Sequence, residues 1–125
     1  MAKRRFGISI NSDIAMALDE IAKNFGLDRS RLVEEAIRSY IEEYKHFTKK
    51  HICRGIFIVR NKGGEPKIDE VFEDYRDIIV SHSHHHIAGE CILTVIVYGD
   101  SERVTELHKK LLCSCTTRYI PLPHD

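Results

Sequence analysis

No apolar run in this 125-residue chain approaches the roughly 20 residues that a membrane-spanning helix needs. The opening stretch MAKRRFGIS also lacks the apolar core and small-residue cleavage site of a secretory leader. The expectation is a cytoplasmic protein that makes no membrane contact. Net charge is missing as well, since 19 Lys and Arg balance 19 Asp and Glu. Overall charge therefore names no partner, although Lys3, Arg4 and Arg5 concentrate positive charge at the start. None of the four cysteines, Cys53, Cys91, Cys113 and Cys115, stands in a CxxC pair, which argues against a structural zinc finger. Without a leader they read as thiols or ligands rather than bridges. There is no internal repeat, and no general base stands positioned beside an open metal site, which sets enzymes aside.

What is present is the mix of a globular protein, 42% hydrophobic and 30% charged. The length allows one ordinary domain or two small ones, and small units lean on association to bury enough apolar surface. Two rhythms divide the chain. Residues 5 to 10, RFGISI, alternate strictly, with Phe6, Ile8 and Ile10 on one side and Arg5, Gly7 and Ser9 on the other, the pattern of a half-buried strand. Asn11 and Ser12 offer helix caps, Asp13 favours a first turn, and Ile14, Leu18, Ile21, Ala22 and Phe25 recur at helical spacing up to a stop at Gly26. After a short turn, with Asp28 or Ser30 as cap, a second amphipathic helix runs through Leu32, Val33, Ala36, Ile37, Tyr40, Ile41 and Tyr44 to about residue 46.

A single short strand with two helices leaves an edge unpaired and a core half built. A second copy supplies both, by antiparallel pairing across a twofold axis. Residues 3 to 46 resemble the ribbon-helix-helix family of DNA-binding proteins. The resemblance implies a homodimer whose two-stranded ribbon enters the major groove of a double-stranded operator, with Arg5, Gly7 and Ser9 facing the bases. Arg5 can grip guanine bidentately, whereas Gly7 has no side chain to read with. Backbone amides near Arg29 and Ser30, helped by Lys3 and Arg4, would hold a phosphate at a helix start.

From residue 51 the order of elements changes. HICRGIFIVRN reads as a strand, KGGEPK as a turn, Ile68, Val71, Phe72, Tyr75 and Ile79 as a helix, and CILTVIVYGD as a β-branched strand. Ser101 is expected to cap a helix built on Val104, Leu107, Leu111 and Leu112, and TRYIPL closes the chain as a strand. The order βαββαβ predicts an α+β chain with a ferredoxin-like domain over residues 51–125, joined to the ribbon-helix-helix domain of residues 1–46.

Between two hydrophobic stretches lies SHSHHHIAGEC, residues 81 to 91. Its central position marks it as native sequence rather than a tag. In a strand, His82, His84 and His86 share one face, about 7 Å apart, while Ser81, Ser83, His85 and Ile87 share the other. Cys91, across the turn AGE, can return to the same neighbourhood. Imidazole with thiolate suits Ni(II), Cu(II), Zn(II) or Co(II), while calcium and magnesium prefer oxygen. The same residues could serve as a pH switch.

Taken together, the two sections resemble the nickel-responsive transcriptional repressors, in which a ribbon-helix-helix domain precedes an ACT-type ferredoxin-like regulatory domain. That resemblance implies a homotetramer held through the C-terminal domains, with metal at the interface setting the spacing of two ribbons. It also implies a metal motif of a distant histidine, then His-x-His, five residues and a cysteine. Counted back from Cys91 without a gap, the paired positions fall on Ser83 and His85. A one-residue change in the turn places them on His84 and His86 or on His82 and His84. The distant histidine falls near Phe72 or Glu73, of which only Glu73 can donate to a metal. The candidate ligands are therefore His82, His84, His85, His86 and Cys91. The rival expectation is a ribbon-helix-helix regulator whose second domain senses another transition metal or an organic ligand, or only oligomerises. Cys113 and Cys115 read as structural.

Overall fold

A computed structural model of the chain describes residues 2–61 and 68–123. The expected turn KGGEPK, residues 62–67, lies outside the described residues. The chain divides into two compact units, Met1–Ser39 and Tyr40–Asp125.

In the first unit, helix α1 spans Ser12–Phe25 and α2 begins at Arg29 and runs to Glu43. Gly26 ends α1 in the left-handed conformation, φ 67°, and the Leu27 amide reaches back 3.0 Å to the Ala22 carbonyl. Only a residue without a Cβ takes that position at no cost, so the glycine stop has a direct physical reason. The Asn11 side chain makes no capping bond. Of the two candidate caps for α2, Asp28 does the work: its Oδ1 accepts the Arg31 amide at 2.8 Å.

The strand expected at residues 5–10 forms no ladder in the single chain. A strand needs a partner, and this unit contains no other among the described residues. Phe6, Ile8 and Ile10 are left exposed, as are Ile14, Ile21 and Phe25 of α1, and Ala22 is the buried residue of that helix. The unit has apolar faces without the core to bury them.

The second unit is a four-stranded sheet with helices on one face. Strands β1 (Ile52–Asn61), β2 (Ile79–Ile87), β3 (Glu90–Asp100) and β4 (Thr116–Pro121) lie in the order β2-β3-β1-β4, every neighbouring pair antiparallel. Helix α3 (Ile68–Asp74) links β1 to β2, and α4 (Ser101–Ser114) links β3 to β4. This is the ferredoxin-like arrangement, and it places β2 on an edge. Alternate residues of the central strands, Cys53, Phe57 and Val59 from β1 and Leu93, Val95 and Val97 from β3, meet Phe72, Tyr75, Val104, Leu107 and Leu111 from the helices. Gly55 leaves the space that the Tyr119 ring fills.

Three local expectations shift. Helix α2 stops at Glu43 and a 3-10 turn, Lys45–Phe47, follows it, so the helix is shorter than expected. Helix α3 ends at Asp74, because Ile79 is drawn into the sheet opposite Val97 and opens β2 instead. Asp100, not Ser101, caps α4: its carboxylate accepts the Glu102 amide at 2.9 Å, while Ser101 is buried as the first helical residue and its hydroxyl accepts the His51 amide. No helix among the described residues is long and apolar enough to cross a membrane.

Within the second unit no helix among the described residues covers the other face of the sheet, yet Ile52, Ile58, Ile96, Tyr98 and Ile120 are exposed on it. Antiparallel sheets that turn one face to water usually make that face polar. This one is apolar.

Candidate functional site

The hairpin joining β2 to β3 sets the site. Ala88 and Gly89 both have positive φ, 49° and 81°, which makes the two-residue turn that matches strand twist. With Ile87 opposite Glu90, the register is fixed: His86 faces Cys91, His85 faces Ile92 and His84 faces Leu93. Strand alternation then sends His82, His84 and His86, with Cys91, to the helix-covered side. His85 and Ser83 go to the open side, where the Ser83 hydroxyl lies 3.1 Å from His85 Nε2 and 2.6 Å from the Thr94 hydroxyl.

On the helix side the ring of His82 meets Phe72 at 4.9 Å and that of His84 at 5.8 Å between centroids. The diagonal neighbour of Cys91 comes within reach of the thiol: His84 Nδ1 stands 3.8 Å from Sγ. An ion bound by both at ordinary N and S distances, in tetrahedral geometry, would separate the two donors by about 3.6 Å. A square-planar ion would bring them to about 3.1 Å by the same bond lengths. The pair thus fits one transition metal with little or modest movement, and nitrogen with sulfur is the donor chemistry of nickel, copper, zinc and cobalt. Among the described residues no three His, Cys, Asp or Glu side chains come together as a complete ligand set. Glu73, the oxygen donor considered from the sequence, is paired with Arg76 at 3.2 Å.

The remaining cysteines lie elsewhere. Cys53 is buried in the core with Sγ 3.3 Å from His51 Nε2, and burial, with Asp100 nearby, pushes its thiol up to about 11. Cys113 is exposed, Cys115 is packed on the core, and all four thiols are free.

A second histidine cluster was not legible as such in the sequence. His46, from the turn after α2, and His108, from α4, are 62 residues apart and buried, with His46 Nε2 2.7 Å from His108 Nδ1. Tyr44 stacks on His108 at 5.2 Å, and Phe47, Phe57 and Tyr119 close around the pair. Burial pushes both rings down to about 4, the other imidazoles adding to the effect at His46, while Glu43 opposes it. Glu43 is itself buried. It accepts three contacts from the Arg118 guanidinium at 2.8 to 3.1 Å and the Tyr119 amide at 3.1 Å. Burial raises its carboxyl, but Arg118 and the Tyr119 amide outweigh that and hold it below its ordinary value. The one available sequence signal was that His108 falls inside the apolar stripe of α4, between Leu107 and Leu111.

In the first unit, Lys3, Arg4, Arg5, Gly7 and Ser9 are all exposed. Lys3 Nζ reaches Glu34 at 3.3 Å. The Arg29 guanidinium is held bidentately by Asp19, at 2.8 Å to each oxygen, so what Arg29 offers at the start of α2 is its backbone, beside that of Ser30.

Two apolar-faced helices behind the basic start Lys3, Arg4 and Arg5, followed by a ferredoxin-like domain bearing an imidazole–thiolate rim, are the parts of a metal-responsive DNA-binding regulator. Comparison with known proteins gives the particular family. Residues 2–45 match the ribbon-helix-helix domain, and residues 58–114 match the NikR C-terminal nickel-binding domain. The chain is 33% identical over 114 residues to a protein of Methanocaldococcus jannaschii designated a nickel-responsive regulator, covering 86% of this chain and 81% of the relative. It is 28% identical over 113 residues to one of the same designation in Dictyoglomus turgidum, covering 86% and 84%. It also shares its fold with an uncharacterized protein of Thermotoga maritima, with TM-score 0.52 and 15% identity, over 60% of this chain and all of that one. The chain belongs to the nickel-responsive regulator family.

Proposed function

We propose that this chain is a cytoplasmic, nickel-responsive repressor in which metal bound by the C-terminal domain controls operator binding by the N-terminal ribbon. The observation that carries the reading is the approach of His84 Nδ1 to Cys91 Sγ on a rim where His82 and His86 share the same face. His84, His86 and Cys91 form the preferred ligand core, with His82 and His85 as further candidates. The lack of a complete set in one chain, among the described residues, supports completion of the site by another copy. Independently of that ligand core, which lies on the opposite side of the sheet, the exposed Ile58, Ile96, Tyr98 and Ile120 of the uncovered face support association between copies. That face is the surface through which two ribbon dimers join into a tetramer. The division into a DNA-binding domain over residues 1–46 and a regulatory domain over 51–125 belongs to this reading.

In the first domain, the exposed Phe6, Ile8 and Ile10 support pairing of two ribbons over the helices. That pairing turns Arg5, Gly7 and Ser9 to the major groove and leaves Lys3, Arg4 and the amides of Arg29 and Ser30 for phosphates. Metal acts as an effector to the extent that it binds the DNA-competent arrangement more tightly. A hundredfold change in operator affinity requires about 2.7 kcal/mol of such coupling.

The test is titration of the metal-free full-length protein with Ni(II), Cu(II), Zn(II) and Co(II), following the thiolate-to-metal charge-transfer absorption and operator binding together. Nickel should bind tightly, produce the band and raise DNA affinity, and Cys91→Ser should abolish the band. If no ion binds better than micromolar and DNA binding ignores metal, the sensor reading is wrong. A preference for another of the four ions transfers the role to that ion.

A further inference from the structure

Both ring nitrogens of His84 have a neighbour. Nδ1 faces Cys91 Sγ at 3.8 Å, and Nε2 faces Asp69 Oδ1 at 3.9 Å. We infer that Asp69 is a positioning residue for the metal: its carboxylate keeps the proton of His84 on Nε2 and so turns the Nδ1 lone pair toward Cys91, making Nδ1 the ligating atom.

The inference rests on the proposed site and goes beyond it, because neither the donor count nor the strand pattern says which nitrogen binds or what orients the ring. A histidine that ligates through one nitrogen characteristically donates the N–H of the other to a carboxylate or carbonyl, which fixes both the tautomer and the ring plane. Helix α3 is placed to supply that partner. Phe72 is 4% exposed and anchors the helix in the core, while its ring contacts His82 at 4.9 Å. Asp69 lies three residues earlier and therefore on the same face as Phe72, which brings its carboxylate over β2. Glu73 shares that face, but Arg76 holds it at 3.2 Å, whereas the Asp69 carboxylate faces His84. On the opposite side of the strand, His85 has its Nε2 against the Ser83 hydroxyl and is turned away from Cys91. At 3.9 Å the Asp69–Nε2 pair is about 1 Å longer than a charge-assisted hydrogen bond. Closure of His84 Nδ1 and Cys91 Sγ around an ion can be accompanied by closure of that gap.

The experiment compares wild type, Asp69→Asn, Asp69→Glu, His84→Ala and Cys91→Ser as full-length proteins. Nickel affinity is measured by chelator competition, the site by its charge-transfer absorption, and the tautomer of metal-free His84 by imidazole 15N shifts. Asp69→Asn should weaken nickel binding 10- to 100-fold while keeping the band, since the ligands are unchanged. It should also shift the His84 ring from the Nε2–H form toward a mixture. Asp69→Glu should recover most of the affinity. Wild-type affinity in Asp69→Asn, or a His84 tautomer that does not respond, overturns the assignment. If Cys91→Ser and His84→Ala instead bind nickel as wild type does, the site itself is wrong. Asp69 is exposed, so the metal-free thermal midpoint should not move; loss of affinity that tracks a loss of fold counts against a positioning role.

Discussion

Acidification from pH 7 to pH 5 should destabilise the regulatory unit through His46 and His108. Both rings are buried and hydrogen-bonded to each other, and both are pushed down to about 4. Because the native values lie below the unfolded value near 6.5, the unfolded chain takes up protons first. The stabilisation is complete above about pH 6.5 and is lost as pH falls toward 4. At pH 5 the cost is on the order of 2 kcal/mol for one ring and more for the pair, though less than twice that, because a charge on His108 is part of what lowers His46. That is a large share of the 5–15 kcal/mol typical of a whole domain. The groups facing the pair are Glu43, whose charge opposes the shift and is itself neutralised by Arg118, together with His51, Tyr44 and Tyr119. The contribution of Glu43 has the same sign but is withdrawn at lower pH, near and below its unfolded value of 4.5. The assay is urea unfolding of metal-free protein at fixed protein concentration from pH 8 to 4.5, with imidazole NMR titration of both rings. His108→Leu should retain no more than about half of the dependence. A stability flat from pH 7 to 5, or either ring titrating near 6.5 while the fold persists, would refute the reasoning.

Two further outcomes follow from the geometry. Glu43→Ala should cost about 1–2 kcal/mol in urea unfolding, the Tyr119 amide losing its acceptor while the exposed Arg118 is rehydrated. A loss near zero would show that Glu43 does not tie the end of α2 to β4. Arg5→Ala should weaken specific operator binding by about 1–3 kcal/mol, read as the ratio of operator to random-DNA affinity, because a bidentate base contact carries discrimination of that size. An unchanged ratio would remove the ribbon from base readout.

Most of the fold was legible because its elements announce themselves by period. The alternation of Cys53, Phe57 and Val59, and of Leu93, Val95 and Val97, is the burial pattern of β1 and β3, and Gly26 stops α1 for a backbone reason. The misjudged ends have tertiary causes. Ile79 fits a helical stripe but is claimed by Val97 across the sheet, and Ser101 looks like a cap but is buried once Asp100 takes that role. RFGISI has the pattern of a strand, but a single chain gives it no partner.

For the metal rim, the residue types and their alternation came from the sequence, since parity along a strand assigns faces without any other information. The pairing could not. Which histidine approaches Cys91 depends on the turn, and only the two positive-φ residues Ala88 and Gly89 fix a register that sets His86 opposite the cysteine and His84 on its diagonal. Asp69, fifteen residues before His84, reaches it because Phe72 pins α3 over β2. His46 and His108 meet across 62 residues because packing brings the end of α2 against α4 and β4. Local chemistry and periodicity are written in the order of residues. The distances between ring nitrogens, thiols and carboxylates from separate elements exist only after a register is chosen and a core is packed.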